Sequence, residues 1–389
     1  MANAIDDHGA SAAHATRQST ANGKDKLPSQ EDLATTFQKM LEDFRTSGAI
    51  KVDGGDGDDT IDAEGWKVRV DGGKGDDTIN AWGYDVRVQG GAGNDIINVR
   101  RATPPDSYYH HTPTDHFCFD KHYHSLPAAQ SSGGDGDDVI NSEGFSRAKG
   151  GAGNDTIHIG GGSAFGGSGD DFITSNGGSA HLNGGAGNDK MVATGMININ
   201  SSISGGAGDD EIYASGSHIT MFGGTGDDAI TLDGTDDRGV LFMDRYGHAG
   251  VNTDMRSFID AGQGDDAITL VKDAKALICY FKDSGHDTLE GANEESTIKF
   301  GPGLTFESAA FSSRGEDMVV TFDDSEGSLT IKNYLDQGVA MMEFADGRVL
   351  DASTAITYAG GDPDAYRADD GMTPASTTPE TSDPSDPDD

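Results

Sequence analysis

Between residues 54 and 270 a bulky apolar residue recurs at one fixed place in a repeated motif. Ile61, Ile79, Ile97, Ile140, Ile157, Ile173, Met191, Ile212, Ile230 and Ile268 each hold the eighth place of a nonapeptide, G-G-x-G-x-D-x-U-x, where U is a bulky apolar residue. Full copies start at Gly54, Gly72, Gly90, Gly133, Gly150, Gly166, Gly184, Gly205 and Gly223, and an altered copy, AGQGDDAIT, starts at Ala261. Where nothing intervenes the period stays near eighteen residues. A coil of fixed circumference keeps such a period, whereas a globular core has no reason to. The apolar residues are therefore expected to stack as one stripe inside a solenoid.

Between nonapeptides runs a second half-turn: AEGWKVRVD (63–71), AWGYDVRVQ (81–89) and SEGFSRAK (142–149). A glycine suited to a turn (Gly65, Gly83, Gly144) precedes an aromatic residue (Trp66, Tyr84, Phe145) and then a short alternating strand, with Val68 and Val70, or Val86 and Val88, pointing inward. The coil thus has two unlike edges.

The flanks read differently. Residues 1–26 are small and polar without periodicity and are expected to be disordered. Over 27–48, Ser29 and Asp32 mark a helix start, Leu33, Phe37, Met40, Leu41 and Phe44 share one face, and Gly48 stops it, which predicts a helix capping the open end of the solenoid. The coils span 50–290, interrupted by a His-, Tyr- and Pro-rich insertion at 99–132 and a second insertion at 233–259. Alternation in STIKFG, MVVTF, SLTIKNYL and MMEFADG predicts an antiparallel β cap over 291–358. The acidic, proline-rich stretch 359–389 is expected to be unfolded. The fold class is all-β: a parallel β-roll or β-helix solenoid with an N-terminal capping helix and a C-terminal antiparallel β cap.

Composition sharpens this. Only 34% of residues are apolar while 57 are glycine, so the core must be thin and repetitive. A net charge of −40 argues against nucleic acid and anionic membranes as partners, and for cations. No stretch reaches membrane-spanning length, and the N-terminus lacks the apolar run of a secretory signal peptide. Two cysteines, Cys118 and Cys279, indicate no disulfide framework; the simplest reading is a free thiol at 118 and a buried one at 279.

The nonapeptides put oxygen ligands in number on one edge, which suits calcium. Position six is Asp59, Asp77, Asp95, Asp138, Asp155, Asp171, Asp189, Asp210, Asp228 and Asp266; position five is Asp58, Asp76, Asn94, Asp137, Asn154, Asp170, Asn188, Asp209, Asp227 and Asp265. With strands stacked about 4.8 Å apart, an ion between two loops can take ligands from both. Without it, carboxylates about 5 Å apart would repel by roughly 3 kcal/mol per neighbour at an effective dielectric near 20. The expectation is a chain that folds on binding several calcium ions, position six supplying ligands and position five orienting the loop or adding a contact.

The nonapeptide resembles that of the repeats-in-toxin, or haemolysin-type calcium-binding, family. The stretch from YFKDSGHDTLEG through MEFADGRVLD is similar to the haemolysin-type calcium-binding related region that follows such rolls. The resemblance implies a β-roll with calcium between coils, in a bacterial protein exported into calcium-rich surroundings. The expected function is a non-enzymatic binding or host-interaction module, with bacterial secretion machinery and a host or cell-surface molecule as partners. In the typical roll both half-turns carry the loop; here one does, implying calcium along one edge.

Enzymatic chemistry has one candidate seat. The insertion carries His110, His111, Asp115, His116, Cys118, Asp120, His122 and His124, ligand types that suit Zn2+, with His116 and His122 the natural pair. Their spacing matches no zinc finger, and solvated histidines are the plainer reading. The Trp66, Tyr84, Phe145 series packs coils together or stacks sugars or a peptide. No nucleophile elbow, H-E-x-x-H helix or phosphate loop is present.

Overall fold

The computed structural model describes residues 3–4, 50–101, 128–194, 201–234, 241–243, 249–251, 256–272, 274–334 and 341–360. They form a β-solenoid of about eleven turns. Each coil runs through a strand, a glycine loop, a second strand and a return across the opposite edge. Consecutive coils pair in parallel and in register: Thr60–Lys74 lies on Thr78–Ala92 with Ile61 opposite Ile79, Gly73 opposite Gly91 and Val68 opposite Val86.

The register survives unequal coil lengths. Ile97 pairs with Ile140 and Ile230 with Ile268 across the two insertions. What fixes register is the alternation itself, since a slip of one residue would turn every inward side chain to solvent. All ten expected stripe residues lie inside, none more than 2% exposed. A facing pair of rows, begun by Val68 and Val86 and by Val70 and Val88, closes the thin core.

Two expectations are met in part. Strands Ala309–Arg314, Asp317–Phe322 and Ser328–Ile331 do pair antiparallel, as do Met341–Glu343 and Val349–Asp351. The same region also continues the parallel ladders, with His286–Glu290 on Ser328–Ile331 and Thr297–Phe300 on Met341–Glu343. The coil therefore grows into its cap, packed around Phe300, Phe322 and Phe344. A short helix, Ala352–Tyr358, follows, with the Asp351 carboxylate accepting the Thr354 N–H at 2.8 Å.

Trp66 stacks on Tyr84 at 4.2 Å, while Phe145, at a register shift between its own coil and the next, stands 47% exposed. Cys279 differs from its expected burial: in Ala276–Tyr280 the inward residues are Ala276, Ile278 and Tyr280, which turns Cys279 outward, half-buried between Asp260 and Lys299. Burial, then the Asp260 carboxylate, pushes its thiol up to about 11. The expected helix at 27–48, Cys118 and the histidines His116 and His122 lie outside the described residues.

Candidate calcium-binding edge

Each glycine loop is shaped by two different demands on glycine. The second and fourth positions, for example Gly151 and Gly153, have φ of 139° and 123°, the left-handed side that residues with a Cβ avoid. The first position has ordinary backbone and needs glycine for space. A Cβ on Gly150 would run into the Asp155 carboxylate of its own loop, and the same collision recurs at Gly72 with Asp77, Gly133 with Asp138 and Gly184 with Asp189. The first glycine and the sixth-position aspartate are thus one packing unit.

That aspartate folds back under the loop. Asp77, Asp95, Asp138, Asp155, Asp171, Asp189, Asp210, Asp228 and Asp266 are each only 1–2% exposed. Each uses Oδ1 to accept the backbone N–H of its counterpart one coil earlier: Asp59 donates to Asp77 at 2.8 Å, Asp77 to Asp95 at 2.8 Å, Asp95 to Asp138 at 2.7 Å, and so on to Asp228 donating to Asp266 at 2.8 Å. The second oxygen, Oδ2, is buried without a hydrogen-bond partner in all nine of these residues. A buried carboxylate oxygen left bare costs free energy unless a proton or a cation meets it. Here it recurs on every coil.

Position five does the opposite. Asp58, Asp76, Asn94, Asp137, Asn154, Asp170, Asn188, Asp209, Asp227 and Asp265 line the outer edge, and their Oδ1 atoms accept from the coil that follows. The Asp76 N–H donates to Asp58 at 2.9 Å, the Asn94 N–H to Asp76 at 2.8 Å and the Asp170 N–H to Asn154 at 2.8 Å. Asn fills this place as well as Asp because only an acceptor oxygen is required. One ladder reaches back and the other forward, so each loop is pinned to both neighbours.

The electrostatics follow from the burial. Desolvation, then repulsion from neighbouring aspartates, outweighs the N–H bond and raises the sixth-position carboxyls: to about 6 for Asp138, Asp171, Asp210 and Asp266, and to about 7 for Asp155, Asp189 and Asp228. Asp77 and Asp95 are raised by the same causes.

All ten expected sixth-position aspartates fall in this one row, and an eleventh residue joins it. Asp287 is 3% exposed and accepts the Asp266 N–H at 3.2 Å, and burial pushes its carboxyl up to about 8. The His286 N–H donates to Asp265 at 2.8 Å, extending the outer ladder by a rung. The signal was legible in Gly285-His286-Asp287-Thr288-Leu289, which keeps the second half of the nonapeptide after its first two glycines are gone. The Tyr280 hydroxyl then donates to the Gly285 carbonyl at 2.9 Å and closes the loop edge.

Among the described residues no group of three or more His, Cys, Asp or Glu side chains converges on a point. A cation on this edge would therefore draw on peptide carbonyls of the loops besides carboxylates, a donor set of hard oxygens that suits calcium. Also among the described residues, no helix is long and apolar enough to cross a membrane.

The family comparison agrees with this geometry. The model of the RTX calcium-binding nonapeptide repeat matches four segments, 51–65, 71–100, 160–191 and 200–230. The haemolysin-type calcium binding protein related domain matches 317–354. The chain thus carries calcium-binding RTX repeats followed by the related domain. No curated protein matches it. The loops beginning at Gly133, Gly150 and Ala261 lie outside the four matched segments, yet they carry the same ladders as those within them.

Proposed function

We propose that the protein is an exported, calcium-ion-binding RTX-type module of the bacterial kind that folds when calcium fills the loop edge. The observation that carries this reading is the row of nine buried Oδ2 atoms without partners, one per coil. In this reading Asp59, Asp77, Asp95, Asp138, Asp155, Asp171, Asp189, Asp210, Asp228 and Asp266, with Asp287 as an added rung, hold the ions together with loop carbonyls, and the fifth-position residues orient the loops. Calcium supplies the positive charge that lets these carboxylates stay ionised while buried.

The carboxylate row explains why the calcium-free coil is weak near neutral pH. Its carboxylates are raised towards 7, so ionising them in place costs free energy that a thin core offsets poorly. Sites of this class in extracellular modules bind with dissociation constants of about 10⁻⁴–10⁻³ M. Low calcium in the producing cell then leaves the chain unfolded and exportable, and calcium outside folds it. The working surface is the long flank of the solenoid, directed to a host or other cell-surface partner.

Circular dichroism of the purified chain at pH 7.5, in chelator and then in millimolar calcium, tests the reading. The strand signal should be weak in chelator and rise cooperatively with calcium. Equal order in both conditions would refute calcium-coupled folding.

A further inference from the structure

One outer face of the solenoid carries a charge opposite to that of the molecule. On the strands before the loops, Lys51, Arg69, Arg87, Gln130 and Arg147 stand opposite one another in strict register on five successive coils, alternating with the inward row of Val52, Val70, Val88, Ser131 and Ala148. Four of five places in one row are cationic, at a spacing of about 4.8 Å. The same row continues as Ser163, His181, Ser202 and Thr220, without Lys or Arg. Between residues 150 and 234 the sequence holds a single Lys or Arg, Lys190, so the basic stretch is local to the first coils.

Nearby acids offset the row only in part. Asp85 bonds Arg69 at 2.7 Å and lies 4.0 Å from Arg87, and Asp53 and Asp71 stand on the next outward row. Among the described residues Lys51 and Arg147 have no ion-pair partner. Like charges stacked this closely raise the free energy of the bare face, and an anion repeating along the coil axis lowers it.

Flat aromatic surface adjoins the row at the second edge. Trp66 stacks on Tyr84, the Arg101 guanidinium sits 5.9 Å over the Tyr84 ring, and Trp82 is 44% exposed. These are the two tryptophans of the chain. Guanidinium groups grip sulfate or carboxylate bidentately, while indole and phenol faces stack on sugar rings.

We propose that the outer face of the first five coils binds a linear acidic polysaccharide laid along the solenoid axis. Repeated charge on the polymer matches repeated charge on the coil, so weak contacts add along the axis. The strongly negative remainder of the molecule disfavours nucleic acid, whose denser charge would be repelled beyond the patch.

Tryptophan fluorescence of the full chain in calcium, titrated with dextran sulfate and with uncharged dextran, tests this directly, because both tryptophans lie at the second edge, Trp66 three residues before Arg69 and Trp82 five before Arg87. Dextran sulfate should give a saturable change that weakens as salt rises, and dextran none. Arg87→Glu with Arg147→Glu should weaken binding at least about tenfold, Arg87→Gln with Arg147→Gln by a smaller factor, and Lys190→Gln should leave it unchanged. Circular dichroism in calcium confirms that each variant is folded. Full affinity in either arginine double variant, equal binding of dextran, or single-stranded DNA binding tighter than dextran sulfate would overturn the proposal.

Discussion

The two edges of the coil obey different rules. On the loop edge the path from the first glycine to the stripe residue has the same length in every copy, and two hydrogen-bond ladders run through it without a break from Asp59 to Asp287. On the opposite edge the coil length varies, the register shifts near Phe145, and both insertions leave and rejoin, after Ile96–Arg101 and after Ala229–Asp233. Ladders whose side chains bond the backbone of the next coil cannot accept an extra residue. The opposite edge can, because its cross-coil side-chain bonds, such as Ala180 N–H to Ser201 Oγ and Ile219 N–H to Ser257 Oγ, do not repeat on every coil. Periodicity in the sequence is thus a record of which edge carries the ladders.

Placing a methyl group on each edge should break this comparison most sharply. Gly150→Ala puts a Cβ into the Asp155 carboxylate and should cost about 3 kcal/mol or more, enough to prevent folding even in calcium. Gly144→Ala meets open space at a φ of 83° and should cost about 1–2 kcal/mol. Thermal unfolding in calcium compares them.

Acidity should separate the edges next. The sixth-position carboxyls have folded pKa values raised to about 6 or 7 from an ordinary 3.8, so the calcium-free fold binds protons that the unfolded chain releases. Stability from this source is complete below about pH 3.8 and lost as pH rises through 6 to 7. In chelator, strand signal should therefore be greater at pH 5 than at pH 8, an unusual direction for so acidic a chain. Calcium should abolish the difference.

A smaller effect with two signs comes from Asp155→Asn. The amide keeps an Oδ1 acceptor for the Asp138 N–H and removes the charge. Without calcium the variant should be more stable than the parent, and in calcium it should bind ions less tightly. Denaturant titrations in both conditions, with calcium isotherms, measure this. The smallest effect should be on the opposite edge, where three residues inserted between Gly178 and Ser179 should shift the melting temperature in calcium by no more than a few degrees.

Much of this was legible in the sequence, because the determinants of the coil are local and repeated. The stripe Ile61 to Ile268 and the sixth-position row followed from spacing alone. Asp287 was missed because its loop has lost the first two glycines, although the half-motif Gly285, Asp287 and Leu289 keeps its places and carries the signal. The direction of the ladders could not be read, since facing back or forward depends on where each side chain turns within the loop. Nor could the burial of position six beside the exposure of position five, two neighbours with the same chemistry. Cys279 was misjudged because an apolar run, ALICYF, says nothing about which alternate residues face in.

A crystal structure grown in calcium, with anomalous data to locate the ions, tests the central claim most directly. Calcium should sit about 2.3–2.6 Å from the Oδ2 atoms of the middle coils, Asp138, Asp155, Asp171 and Asp189, repeating at the coil spacing. Ions found only against the outer fifth-position residues, with those Oδ2 atoms still bare, would contradict it.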